Sequence, residues 1–191
     1  MNPPFENFVL LLGTRSPRRR QLIEGMDIPF RTVEIAFEEE KYPEKEVVAL
    51  AKAKNLSYTT PLRNHEILLT ADTLVISDDE ILGKPRNENE AIRMLERLSG
   101  KTHRVETGVC LRSAKEMRCF KEQTLIRFKR FSDEEIRYYV KHYRPLDKAG
   151  AYGIQEWLGL IGVEKIEGDY YNVMGLPTAK LWDALLRMIK K

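Results

Sequence analysis

An apolar run, a turn and a helix that opens on three arginines stand together in LLGTRSPRRRQLIEG, residues 11–25. The first turn of a helix carries partial positive charge, so cations there are disfavoured. Arg18, Arg19 and Arg20 therefore ask for an anion above them. Free backbone N–H groups, the Thr14 hydroxyl and guanidinium forks together suit a phosphate chain. A solvated basic helix start is the alternative reading, and the Gly-x4-Gly-Lys spacing of a P-loop is absent.

Asp72 interrupts the apolar run ILLTADTLVIS, residues 67–77. A carboxylate there is costly unless it is paired or bound to a metal; a hydrogen-bonded turn aspartate is the competing view. Glu39, in the acidic run Glu38-Glu39-Glu40, offers a second carboxylate, while its two neighbours read as a solvated edge. Two hard carboxylates beside phosphates are what Mg²⁺ takes, with water and phosphate oxygens completing the shell. Lys84 in LGKP and Lys148 in DKAG add cations beside turn-forming Gly and Pro. His103 and His142 lack partner spacing and receive no role.

These residues need elements to hold them. Residues 8–13 read as a short buried strand and 16–26 as a helix with Ser16 as N-cap and Pro17 in its first turn. A strand follows at 30–37, then a helical pattern at 44–59 with Val47, Leu50, Ala51 and Lys54 at turn spacing. The run at 67–77 predicts a central strand and DDEILGKP a turn with a short extended return. Residues 87–98 predict a helix capped by Asn87, and 102–112 and 118–130 predict strands. Ser132 with Glu135 makes a capping box for a helix to about His142. RPLDKAGAYGIQ, 144–155, has the Pro/Gly punctuation of a functional loop. LIGVEKIEG reads as a strand and 177–190 as a closing amphipathic helix. Interleaved helices and strands give an α/β class, with a mixed sheet because some neighbours are hairpin-connected.

Bulk properties narrow the function. The 191 residues suffice for one domain, and no repeat, low-complexity tract or linker divides them. Hydrophobic residues at 42% and charged residues at 32% describe a folded, soluble chain. A net charge of +3 is too mild to mark a nucleic-acid binder. Cys110 and Cys119 form neither a disulfide framework nor a metal spacing, which predicts two reduced thiols in a cytoplasmic protein. MNPPFENFVLLLG lacks the basic start and cleavage site of an export signal, and its apolar run is too short to span a bilayer.

GTRSPRRRQLI, ADTLVI…ILGKP, LSGKTHRVETGV, DKAGAYGIQ and YYNVMGLP, in this order, resemble the Maf family of nucleoside triphosphate pyrophosphatases. The likeness runs from about Leu10 to the final helix, one catalytic domain over 1–191. It implies a long mixed β-sheet flanked by helices, in two lobes with a cleft between them, related to the inosine-triphosphate pyrophosphatases. It implies cleavage of a nucleoside triphosphate to monophosphate and pyrophosphate with a divalent cation, Mg²⁺ or Mn²⁺. Asp72 would be the catalytic carboxylate, taking the proton of the attacking water or holding the metal, with Glu39 the second acidic member. Thr14, Arg19, Lys54 and Lys84 would hold the triphosphate. Arg18, Thr73 and Gln155 match the branch similar to dTTP/UTP pyrophosphatases; the branch for 7-methyl-GTP has Trp, Gln and Glu there. Three departures stand out: Thr14 for the commoner serine, Arg15 for a small residue, and Asn55 where alanine usually follows the lysine.

A primary amide at Gln155 can match the donor between two acceptors on a uracil or thymine edge. The reading extends to modified pyrimidine nucleotides. The alternatives are the 7-methyl-GTP activity and a non-catalytic nucleotide- or nucleic-acid-binding regulator of cell division. Asp72 favours an enzyme, because a binder needs no mid-strand carboxylate. No membrane contact and no stable nucleic-acid partner are expected, and relatives are often homodimers.

Overall fold

The first strand is aliphatic throughout, and it is ended by Gly13 and the helix cap just beyond. In the computed structural model, which describes residues 5, 7–37 and 46–189, β1 is Val9–Leu12 and α1 is Pro17–Gly25. Next come β2 (Phe30–Thr32), α2 (Val47–Leu56), β3 (Glu66–Ser77), β4 (Glu80–Leu82), α3 (Glu88–Leu98), β5 (Thr102–Arg112) and β6 (Met117–Phe128). The chain closes with α4 (Asp133–Tyr143), α5 (Trp157–Gly162), β7 (Val163–Glu167), α6 (Tyr170–Met174) and α7 (Thr178–Ile189). The fold is α/β. Its seven-stranded sheet is mixed, in the order β2-β1-β3-β5-β6-β7, with β4 paired to β3.

The chain divides into two compact units. The first takes the segment ending at Asp72, Thr107–Glu122 and the stretch from Gly175 onward. Here β1 pairs in parallel with both β2 and β3, Leu12 standing opposite Leu69. Helix α2 lies on one face of β3: the Thr70 hydroxyl donates to the Ala51 carbonyl at 2.7 Å. Asn55, wholly buried, donates from Nδ2 to the carbonyls of Leu68 and Cys110, each at 3.2 Å. Arg112 donates to the Asn55 side chain at 2.8 Å and to the Tyr58 carbonyl at 2.6 Å. The departure at Asn55 is thereby explained: its amide bolts α2 across two strands. At Gly108 a β-carbon would run into the Val47 carbonyl, so the close approach of α2 to β5 requires glycine. The Phe5 ring meets Trp182 of α7 edge to face, 4.7 Å between centroids.

The second unit comprises Thr73–Glu106 and Gln123–Met174. Its core gathers Leu95 and Leu98 from α3, Ile126 and Phe128 from β6, Ile136 and Tyr139 from α4, and Tyr152, Ile154 and Leu158 beyond it. Helix α4 begins with the predicted capping box of Ser132 and Glu135.

Three expectations need correction, and one element went unread. The strand expected over 30–37 ends at Thr32, because β1 offers no partner past Leu12 beyond one bond from the Val33 N–H to the Leu12 carbonyl at 3.1 Å. Leu160–Gly162 of the expected strand LIGVEKIEG belong to α5 instead; a short apolar run does not distinguish helix from strand by its period. Helix α6 was not read from the sequence, although buried Asn172 ties it to the Val105 carbonyl at 3.1 Å and the Thr124 hydroxyl at 2.9 Å. Finally, Cys110 and Cys119 are not separate thiols. They sit with Cα atoms 4.1 Å apart and are bridged by a disulfide. Nine residues of separation conceal that neighbourhood from a reading of sequence spacing.

Candidate active site

The arginine-rich corner forms where β1 ends. Ser16 caps α1, its hydroxyl accepting the Arg19 N–H at 3.4 Å, and no acidic residue stands in the first turn. Thr14 Oγ1 accepts the Ser16 N–H at 3.1 Å and lies 3.5 Å from Arg19 Nη1. Arg19 is 8% exposed and donates from Nε to the Gly175 carbonyl at 2.7 Å. Arg18 is half-buried, and Arg15 and Arg20 are exposed. One of the three arginines thus turns inward against the corner, held by the GLP segment that the sequence places far away.

The parallel pairing of β1 leads from this corner to β3, the strand that holds Asp72. Leu12 stands opposite Leu69, the Gly13 N–H donates to the Leu69 carbonyl at 2.9 Å, and Asp72 follows three residues further along β3. Asp72 is 7% exposed and shares its strand face with Thr70, the face that α2 covers. Lys54, half-buried, lies one turn beyond Ala51 on that helix. Thr14, Arg19, Lys54 and Asp72 all belong to the first unit, the corner following the carboxyl end of β1 and Asp72 lying beyond the last β1–β3 pair. Thr73, the next residue in β3, leaves by the opposite face. Glu39 lies outside the described residues.

The remaining candidates belong to the second unit. Lys84 is exposed in the turn after β4. The preceding residue, Gly83, accepts the Gly150 N–H at 3.1 Å, which joins the LGKP turn to the DKAG loop. Gly150 has φ 66°, and a β-carbon there would press on the Val75 side chain at 2.9 Å. Lys148 is 7% exposed, with Nζ 2.8 Å from Asp147 Oδ1 and 3.2 Å from Glu156 Oε1. Glu156 also accepts the Tyr139 hydroxyl, and that hydroxyl accepts the Gly153 N–H at 3.0 Å. Gln155 is half-buried, and its side-chain Oε1 is shielded from solvent with no hydrogen-bond partner among the described residues. A shielded acceptor left unmatched costs about 1–3 kcal/mol, which a ligand N–H would recover. Sequence reading missed Glu156 and Tyr139; the only signal was a carboxylate directly after the glutamine.

Among the described residues no group of three or more His, Cys, Asp or Glu side chains is placed to hold a metal. Of the candidate donors, the buried Asp72 carboxylate suits a hard cation that carries most of its own oxygen ligands. Nor, among the described residues, is any helix long and apolar enough to cross a membrane.

An α/β protein with this mixed sheet has a solved counterpart in the Staphylococcus aureus Ham1 protein. That structure matches with a TM-score of 0.53 at 10% identity, over 94% of this chain and 98% of the other, which is a likeness of fold. The Maf-like protein family matches residues 9–188, and the chain belongs to that family. A protein of Thermosipho melanesiensis is 49% identical over 92% of this chain and 96% of its own, and is named a dTTP/UTP pyrophosphatase. Proteins of the same name from Porphyromonas gingivalis, strain ATCC 33277, and Phocaeicola vulgatus are 46% and 44% identical. They cover 94% and 96% of this chain, and 94% and 97% of their own.

Proposed function

We propose that this protein hydrolyses dTTP and UTP, and modified pyrimidine nucleotides of the same base edge, to the monophosphate and pyrophosphate. The observation that carries the reading is the parallel β1–β3 pairing up to Leu12 and Leu69, which supports a site where the Thr14–Arg19 corner faces the Asp72 carboxylate. The relatives named dTTP/UTP pyrophosphatase supply the substrate class.

In this mechanism Arg19, Lys54 and Lys84 hold the triphosphate and the Thr14 hydroxyl donates to a phosphate oxygen. Asp72 takes the proton of the attacking water. The new oxygen–phosphorus bond forms at the α-phosphorus as the bridging α–β bond breaks, and its electron pair leaves with pyrophosphate. The three cations offset the charge that grows on that leaving group. Asp72 and Glu39 would hold a divalent ion, Mg²⁺ or Mn²⁺, which would supply further neutralisation of phosphate charge when bound. Arg18, Thr73 and Gln155 choose the base. We assign the protein to the cytoplasm with its nucleotide pools, a compartment whose thiols would tend to open the Cys110–Cys119 bridge, and to a homodimer.

The test is pyrophosphate release from dTTP, UTP and 7-methyl-GTP with Mg²⁺ or Mn²⁺, with and without chelator. Pyrimidine turnover that chelator abolishes is the expected result. Preference for 7-methyl-GTP would overturn the base assignment, and no turnover of any nucleotide would overturn the enzyme.

A further inference from the structure

Gln155 sits in a tight turn: the Glu156 N–H donates back to the Gly153 carbonyl at 3.0 Å. Glu156 then occupies the N-cap position of α5, yet its side chain makes no capping bond. A carboxylate at a helix start ordinarily serves the free N–H groups there. This one reaches the other way, one oxygen to Tyr139 and one to Lys148, 3.2 Å from Nζ. It also lies flat on Gly153, where a β-carbon would stand 2.8 Å from its Cδ. On the far side, a β-carbon at Gly159 would run into the Ile154 carbonyl, so α5 is pressed on the same turn.

The turn is thus fixed from both ends. Tyr139 is wholly buried in the core of its unit, so its hydroxyl is a rigid post. It binds the N–H of Gly153 and the carboxylate of Glu156, the two residues that bracket Ile154 and Gln155. Buried Lys148 supplies the charge that makes the inward carboxylate tolerable. The one polar side chain in the bracket is the Gln155 amide, whose shielded oxygen has no protein partner among the described residues.

We propose that Glu156, braced by Tyr139 and Lys148, is a positioning residue for base selection: it fixes the direction in which the Gln155 amide presents its unmatched acceptor. The proposal rests on the pyrimidine nucleotide reading above. Glu156 touches neither phosphate nor base in this role, so its loss should be felt by ligands that carry a base and not by the bare phosphate chain.

The probes are the non-hydrolysable α,β-methylene analogue of dTTP and inorganic tripolyphosphate, titrated calorimetrically with Mg²⁺ present. Glu156→Ala and Tyr139→Phe are each expected to weaken the dTTP analogue about tenfold, the scale of one misdirected hydrogen bond, and to leave tripolyphosphate unchanged. Glu156→Gln, whose amide oxygen still accepts the Tyr139 hydroxyl, should restore part of the loss. Should Glu156→Ala fail to fold, Tyr139→Phe decides, since it deletes a single oxygen. Equal weakening of both ligands, or of neither, overturns the positioning role. Wild-type protein that holds tripolyphosphate but shows no preference for the dTTP analogue over its 7-methyl-GTP counterpart overturns the pyrimidine reading instead, and this proposal with it.

Discussion

His103 Nε2 lies 2.7 Å from the Tyr152 hydroxyl, and both side chains are buried in the core of the second unit. Burial without a counter-charge lowers the His103 pKa from 6.5 to about 4 and pushes that of the Tyr152 phenol upward. Unfolded protein takes up a proton at His103 near pH 6.5, whereas folded protein resists until about pH 4. Stability is therefore full above the unfolded value and falls as acid is added. Linkage gives a loss of about 2 kcal/mol between pH 7 and pH 5 from this one group. Melting temperatures across that range should show the decline, and His103→Gln should flatten it. An equal slope in the variant would remove His103 as its source.

Asp72→Asn keeps the side chain's shape and removes its charge. Turnover of dTTP should fall by about a hundredfold or more, the scale of a positioned acid–base or metal-holding carboxylate. The melting temperature should hold, because a neutral amide is cheaper to bury than a carboxylate. Near-normal turnover at saturating Mg²⁺ would exclude Asp72 from the chemistry.

Arg19→Ala and Lys84→Ala should each lower kcat/KM for every nucleotide alike and leave the preference order intact. Stability should separate them. Arg19 is buried and bonded to the Gly175 carbonyl, whereas Lys84 is exposed. Only the arginine variant should melt early. A reshuffled order of dTTP, UTP and 7-methyl-GTP in either variant would contradict a phosphate role.

The triple change Arg18→Trp, Thr73→Gln, Gln155→Glu should move preference from dTTP and UTP toward 7-methyl-GTP. Gln155→Glu alone should weaken pyrimidine handling by about 1–3 kcal/mol, since a carboxylate cannot donate to a base carbonyl. Thr73→Gln alone should matter least, because Thr73 leaves β3 on the face opposite Asp72. Specificity constants for the three nucleotides on wild type, singles and triple are the measurement. Unchanged ranking in the triple variant would sink the code.

Local chemistry was legible where the signal was local. Ser16, Asn87 and Ser132 cap the helices expected of them, and the long β3 follows its apolar run to Ser77. A basic corner at the start of α1 was legible from the misplaced arginines, but which arginine turns inward was not, because Arg19 meets Gly175 across a separation of 156 residues. The same holds for Asn55, whose partners lie on two strands, and for Cys110 and Cys119, which only strand pairing brings together. Gln155 was legible as a residue type; the Tyr139–Glu156 brace that fixes its turn was not, because periodicity reports burial and says nothing of where a hydroxyl points. Glu39 was read from sequence and lies outside the described residues.

The borders of the two compact units fall at Asp72/Thr73, Glu106/Thr107, Glu122/Gln123 and Met174/Gly175. One border thus cuts between the expected base and its neighbour in the specificity set, and neither unit is a continuous stretch of gene. A single crossover between two relatives would splice fragments of both units rather than exchange one whole. Base preference in such a chain cannot travel as a cassette. It has to change by point substitution in place, with both units retained throughout, and chimeras made at a single junction should be poor donors of altered selectivity.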